Sequence, residues 1–178
     1  MTTLFGNVAQ TTNGFDLEFE RVLDTDIQDA WSAVTEPDRI ARWMETYHGD
    51  LRLGGTWRVY GSGGNLYCTG TVSECTPPHG FVTSWNVLGE EPTTLRITLD
   101  AVPDGTRLRL KHEGVQDERY GAGWQTYLEQ LDDLLGAAPS SVVDPARTPG
   151  TDWDARHAQL SGAWSDRFAA LKTKENRP

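Results

Sequence analysis

The chain has 178 residues, 37% apolar and 24% charged, enough for one domain with its own core and too polar for a membrane-embedded chain. With 26 acidic against 16 basic residues the formal charge is −10, a balance that repels phosphate backbones and anionic lipid and argues against nucleic acid as a partner. No apolar run approaches the ~20 residues of a bilayer span, and residues 1–10 lack a basic start and an apolar core, so a cytoplasmic location is expected.

Residues 1–13 carry no periodicity and read as a loose arm. From Gly14 onward Phe15, Leu17 and Phe19 alternate with Asp16, Glu18 and Glu20, the period of a strand with one wet face. The period then changes. Asp26 is placed to cap a helix carrying Ile27, Ala30, Trp31 and Val34, with Asp29 in its first turn, and Pro37 divides this from a second short helix through Ile40, Trp43 and Met44. Residues 50–113 read as an antiparallel meander, its strands near 56–60, 66–75, 81–87, 95–99 and 108–112, separated by Gly54-Gly55, the Gly-rich stretch 61–65, Pro77-Pro78-His79-Gly80 and Pro103-Asp104-Gly105. Seven strands are predicted. Cys68 and Cys75 stand an odd number of positions apart on one strand, which predicts opposite faces and two reduced thiols.

Trp124, Leu128, Leu131 and Leu135 form a helical stripe flanked by Tyr120, Tyr127 and Leu134. The spacing predicts a helix over about 119–135, roughly 25 Å long, with Gly136 placed to end it. Residues 137–150 are rich in Ala, Ser and Pro and read as a linker. A separate amphipathic helix over 151–173 follows, capped by Thr151 or Asp152, with Trp153, Leu160, Trp164, Phe168 and Leu171 as its apolar positions. Three large aromatics on one face need cover. Docking onto the parent domain, a homodimer contact through this helix, and a lid over a pocket are the three readings.

The segment 30–37 (Ala-Trp-Ser-Ala-Val-Thr-Glu-Pro), Arg42-Trp43, the turn Asp50-Leu51-Arg52-Leu53-Gly54-Gly55, and Gly70 before Pro77-Pro78 occur in a recognisable order. Phe81-Val82-Thr83-Ser84-Trp85, Gly105-Thr106-Arg107-Leu108 and Gly123-Trp124 with Leu128 and Leu131 continue it. Over residues 14–136 this order resembles the heat-shock-protein-90 ATPase activator homologue family, a branch of the START-like or SRPBCC (Bet v 1-like) helix-grip superfamily. The resemblance implies an α+β fold: one strand, two small helices, a strongly bent antiparallel sheet, and a long helix laid across its concave face with a cavity between them. Members of such a superfamily include small-molecule binders, cyclases, dehydratases and co-chaperones, and a fold does not choose among these. The tail after Gly136 lies outside the resemblance.

The chemistry-bearing residues are few. The chain has no nucleophile elbow, phosphate loop, dinucleotide fingerprint or paired metal-ligand spacing, so no cofactor and no metal site are expected. His112 shares a strand face with Leu108 and Leu110, the face expected to look into the cavity. There it is either a hydrogen-bonding group or general base toward a ligand, or a satisfied structural imidazole, and the structural reading weighs more. Trp43, Tyr47, Trp57, Tyr67, Trp85 and Trp124 fall on elements that would surround a helix-grip cavity, and with His112, Tyr127 and Leu128 they form the expected ligand lining. Arg52 and Arg107 are weaker candidates to neutralise a ligand carboxylate at the mouth. No paired carboxylates can be assigned to the interior.

Three functions remain open on these residues. The first is binding of a hydrophobic or aromatic small molecule. The second is a cyclase or dehydratase using His112 with Tyr67 or Tyr127 as acid and base. The third is a protein-interaction module like the co-chaperone namesake, its contact surface the acidic face and the tail.

Overall fold

A computed structural model describes residues 6–61 and 63–175, with side chains through 173. The chain opens with β1 (Asn7–Thr11) and β2 (Gly14–Leu23), then α1 (Ile27–Thr35), α2 (Pro37–Ile40) and β3 (Tyr47–Gly49). The meander follows as β4 (Thr56–Tyr60), β5 (Leu66–Thr76), β6 (Gly80–Val87), β7 (Thr93–Val102) and β8 (Gly105–Val115), before α3 (Arg119–Leu135) and α4 (Trp153–Glu175). All strand pairs are antiparallel, in the order β1-β2-β8-β7-β6-β5-β4-β3.

The eight described strands exceed the predicted seven, and the short edge strands β1 and β3 carry no alternation. Residues 7–11 are therefore not a loose arm. They pair with β2 from Asn7↔Glu18 to Thr11↔Gly14 while keeping one partly buried side chain, Val8, so backbone pairing sets this strand and no side-chain period announces it. The rest of the expected arm, residues 1–5, lies outside the described residues. A second correction concerns β5. A bulge between Val72 and Glu74 inserts one residue, which returns Cys75 to the side of Cys68, where it packs against the core. Both thiols are unpaired.

Asp26 caps α1 as expected, its Oδ1 accepting from the backbone N–H of Gln28 and Asp29, both at 2.9 Å. Pro37 opens α2, but that helix stops at Ile40, and Trp43 and Met44 follow in turns closed by the Met44 N–H donating to the Ile40 carbonyl at 2.8 Å. α3 spans the predicted residues and lays Ala122, Trp124, Leu128 and Leu131 on the core.

The tail is part of the domain. Residues 137–150 do not form a free linker: the Ala138 N–H donates to the Val22 carbonyl at 2.8 Å, and the Ser141 hydroxyl accepts from the Val22 N–H at 3.0 Å. α4 then buries Leu160, Trp164 and Phe168, with Phe168 edge-on to Phe15 at 4.8 Å and Trp164 5.6 Å from Phe19. A Cβ at Gly121 would overlap the Trp164 ring, so the close approach of α3 and α4 depends on that glycine. Between the helices the Arg156 guanidinium donates to both oxygens of buried Glu129, at 2.7 and 2.9 Å, and to Asp144 at 2.7 Å. The aromatic face of α4 is thus covered by its own domain, which removes it as the contact surface of a homodimer. Among the described residues no helix is long and apolar enough to cross a membrane.

Candidate functional site

The concave side of the sheet is filled at one end and hollow at the other. Under α1 and α2 a void of only ≈ 20 Å³ remains, edged by Trp43, Trp57 and Phe81. Under the first half of α3 lies a cavity of ≈ 400 Å³, between that helix, β4 to β6 and the first turn of α4.

The expected lining residues divide between these ends. Tyr47, Tyr67, Trp85, Trp124 and Tyr127 all line the larger cavity. Trp43 and Trp57 belong to the filled end, where their indole N–H groups donate to the Ala33 carbonyl at 2.9 Å and the Thr83 hydroxyl at 2.8 Å. Trp57 lies flat because β5 offers it Gly70, where a Cβ would overlap its ring. Leu128 is fully buried core. Arg52 is 79% exposed beside Asp50 and Arg107 pairs with Glu20, so neither of these lines the cavity.

His112 stands behind the wall, 0% exposed. Its Nδ1 accepts from the Trp124 indole N–H at 2.9 Å. A neutral ring then carries its proton on Nε2, which lies 2.7 Å from the Thr93 hydroxyl, and that hydroxyl in turn donates to the Trp85 carbonyl at 3.1 Å. Every polar atom in this Trp124–His112–Thr93 series is satisfied by the uncharged form, and burial pushes the imidazole pKa down to about 3. The ring fixes the orientation of Trp124 and, through Thr93, ties β7 to β6. It offers neither a free lone pair nor access to a guest.

Sequence reasoning missed the polar rim. The Tyr127 hydroxyl donates to Glu45 at 2.8 Å and the Tyr120 hydroxyl to Glu90 at 2.7 Å. Burial first, and then these bonds to carboxylates, push both phenols up, while Tyr47 and Tyr67 are raised by burial and by nearby groups that include Glu45. All four stay protonated at neutral pH. Arg119 donates from Nε to both oxygens of Asp117, at 3.0 and 2.8 Å. Trp85 Nε1 is buried and completes no hydrogen bond of ordinary geometry, though it lies close enough to the Tyr120 hydroxyl to act against the rise in that phenol's pKa. Cys68 is buried with its thiol pushed up to about 12, mainly by desolvation, and is a small apolar wall element rather than a nucleophile.

The tail supplies the remaining wall. Trp153 lies 5.4 Å from Tyr127 and stacks on His157 at 4.7 Å. Tyr120, Gly123 and Tyr127, and again Trp153 and His157, recur at helical spacings, a signal readable in the sequence. Glu45 and Glu90 come from loops and follow no period. Among the described residues no group of three or more His, Cys, Asp and Glu is placed to hold a metal ion.

A bent antiparallel sheet holding a long helix, with two small helices after the inner strand, defines the START-like, helix-grip class. Residues 24–136 match the family described as Activator of Hsp90 ATPase homolog 1-like protein, and the chain belongs to that family. CalU16 from Micromonospora echinospora is 25% identical with a TM-score of 0.67, the match covering 93% of this chain and 94% of that one. EF2215, a conserved protein of unknown function from Enterococcus faecalis, is 17% identical with a TM-score of 0.70, covering 93% and 91%. An HSP90 activator from Plasmodium falciparum is 22% identical with a TM-score of 0.58, covering 68% of this chain and 96% of its own. The first two matches span more of this chain than the family match over residues 24–136. No curated protein matches the chain.

Proposed function

We propose that the chain binds a hydrophobic or aromatic small molecule in the cavity beneath the first half of α3. The observation that carries this reading is the ≈ 400 Å³ hollow walled by rings from the sheet, α3 and α4, a size and lining suited to a small organic guest. Leu66, Tyr67 and Leu88 are 50%, 47% and 91% exposed, Tyr67 lines the cavity, and the pairing of Cys68 with Val87 brings the ends of β5 and β6 together, an apolar approach for such a guest. The protonated phenols and the Trp85 N–H supply a few polar anchors. A cytoplasmic setting fits the two unpaired thiols.

The enzymatic alternative loses support, because its base, His112, is enclosed and held neutral, and the tyrosines are held protonated. The co-chaperone reading loses the tail's aromatic face as a contact surface.

Gly123 provides the test. It lines the cavity, and a Cβ there meets nothing within 4 Å, so Gly123→Phe places a ring in the hollow without a backbone clash. Against a panel of polycyclic aromatics, lipids and polyketide-like compounds, at least one is expected to raise the melting temperature of the native chain and not that of Gly123→Phe. A panel that shifts neither protein, or shifts both equally, removes the proposal.

A further inference from the structure

The charge distribution around the cavity narrows the chemistry of its guest. We infer, building on the binding role proposed above, that the guest is cationic: an aromatic or alicyclic amine, protonated or quaternary, whose ammonium sits among the rings in the field of Glu45 and Glu90.

The charged side chains that line the hollow are Glu45, Glu90, Asp117 and Arg119. Arg119 is held by both oxygens of Asp117, and although it also senses Glu90, it balances one carboxylate of the three. Glu45 Oε1 accepts from Tyr127 and Glu90 Oε2 from Tyr120, neutral donors that leave both negative charges uncompensated. Both carboxylates are exposed to water, at the mouth of an aromatic hollow with no lysine or free arginine among its walls.

The field of these carboxylates reaches inward. Burial is the largest cause of the raised pKa of Tyr47, Tyr67, Tyr120 and Tyr127 and opposes a charge of either sign; Glu45 adds to it at Tyr47, Tyr67 and Tyr127, and Glu90 at Tyr67 and Tyr120. The carboxylate share, which disfavours a phenolate, favours an ammonium at the rim by the same interaction. The ring faces act in the same direction, since Trp and Tyr present negative quadrupoles to a cation within about 6 Å. An anionic guest would meet this field without a free counter-charge, because Arg52 and Arg107 are engaged elsewhere.

Matched probes test the charge separately from the cavity. They are (2-naphthylmethyl)trimethylammonium, its neutral carbon isostere 2-neopentylnaphthalene, and 2-naphthylacetate, titrated into the full chain at pH 8 and low salt with tryptophan fluorescence as the readout. The cation is expected to bind about tenfold more tightly than the isostere, with the acetate weakest. Glu45→Gln/Glu90→Gln keeps an acceptor for each phenol and is expected to cut that advantage to about threefold or less, as is ~0.5 M NaCl. Each single Gln variant gives a smaller reduction of the same sign and serves if the double variant does not fold. An isostere that binds as tightly as the cation, or an advantage untouched by the Gln variants, overturns the inference while leaving the cavity as a binding site. Failure of all three probes to bind, with Gly123→Phe indistinguishable from the native chain against the wider panel, removes the cavity reading and this inference together.

Discussion

At the α1 and α2 end of the grip, Trp43 and Trp57 direct their N–H groups to a backbone carbonyl and a buried threonine hydroxyl, and ≈ 20 Å³ is left between them. At the α3 end, Tyr120 and Tyr127 reach outward to carboxylates on loops, Trp85 Nε1 completes no hydrogen bond of ordinary geometry, and ≈ 400 Å³ stays open. Rings line both ends, so the presence of aromatic side chains by itself does not mark a binding site. Apart from Trp124, which donates inward to His112, what separates the two ends is where the polar atoms are satisfied: Trp43 and Trp57 find partners inside the core, whereas Tyr120 and Tyr127 find theirs at the rim.

The contrast can be broken by mutation, and the largest effect is expected at the filled end. Trp57→Ala removes a ring that is 2% exposed and takes from the Thr83 hydroxyl its indole donor, so a loss of about 3–5 kcal/mol is expected in urea unfolding. A cost under about 1 kcal/mol would mean that this end is as loosely filled as the other. Arg156→Ala leaves the buried Glu129 with the neutral Gln125 amide at 3.1 Å and, as its cation, the longer Arg147 contact at 3.5 Å, and is expected to cost about 3 kcal/mol. It should also lower affinity for cavity probes, because the first turn of α4 would no longer be held as a wall; intact affinity would show the tail to be dispensable to the site.

His112 sharpens the comparison through pH. Its folded pKa, about 3, lies below the ordinary 6.5, so the unfolded chain takes up a proton first as pH falls. The stabilisation is complete above pH 6.5 and drains away toward pH 3 at about 1.4 kcal/mol per unit. His112→Gln lacks this titration. The gap in unfolding free energy between the two proteins is therefore expected to narrow by about 2 kcal/mol from pH 7 to pH 5, and a constant gap would mean that the imidazole is already hydrated or charged in the native state. The smallest stability effect belongs to the open end. Trp153→Ala trims a partly buried ring and is expected to cost about 1 kcal/mol or less while weakening probe binding about tenfold, so equal losses of stability at Trp153 and Trp57 would erase the distinction.

Much of the architecture was legible because side-chain period reports burial directly. β2, β7, β8 and α3 each bury one face against the core, and their alternation or helical stripe says so. β1 and β3 were not legible, being edge strands held by backbone pairing, which any residue type can make. The bulge in β5 was equally silent, since one inserted residue changes the face of Cys75 without changing composition. In the site, Tyr47, Tyr67, Trp85, Trp124 and Tyr127 could be grouped from their elements. Trp43 and Trp57 could not be set apart from them, because a core ring and a cavity ring are the same residue type at the same period.

By itself the sequence determined the class of fold, the span of the long helix, the presence of an amphipathic tail and the supply of rings, all of which follow from local period, caps and composition. Only the tertiary structure decided which end stays hollow, that α4 closes one wall of it, that His112 is locked behind it, and that Glu45 and Glu90 stand at its mouth. These are distances between residues far apart in the chain, set by how the sheet bends and where loops land, and no local pattern carries that information.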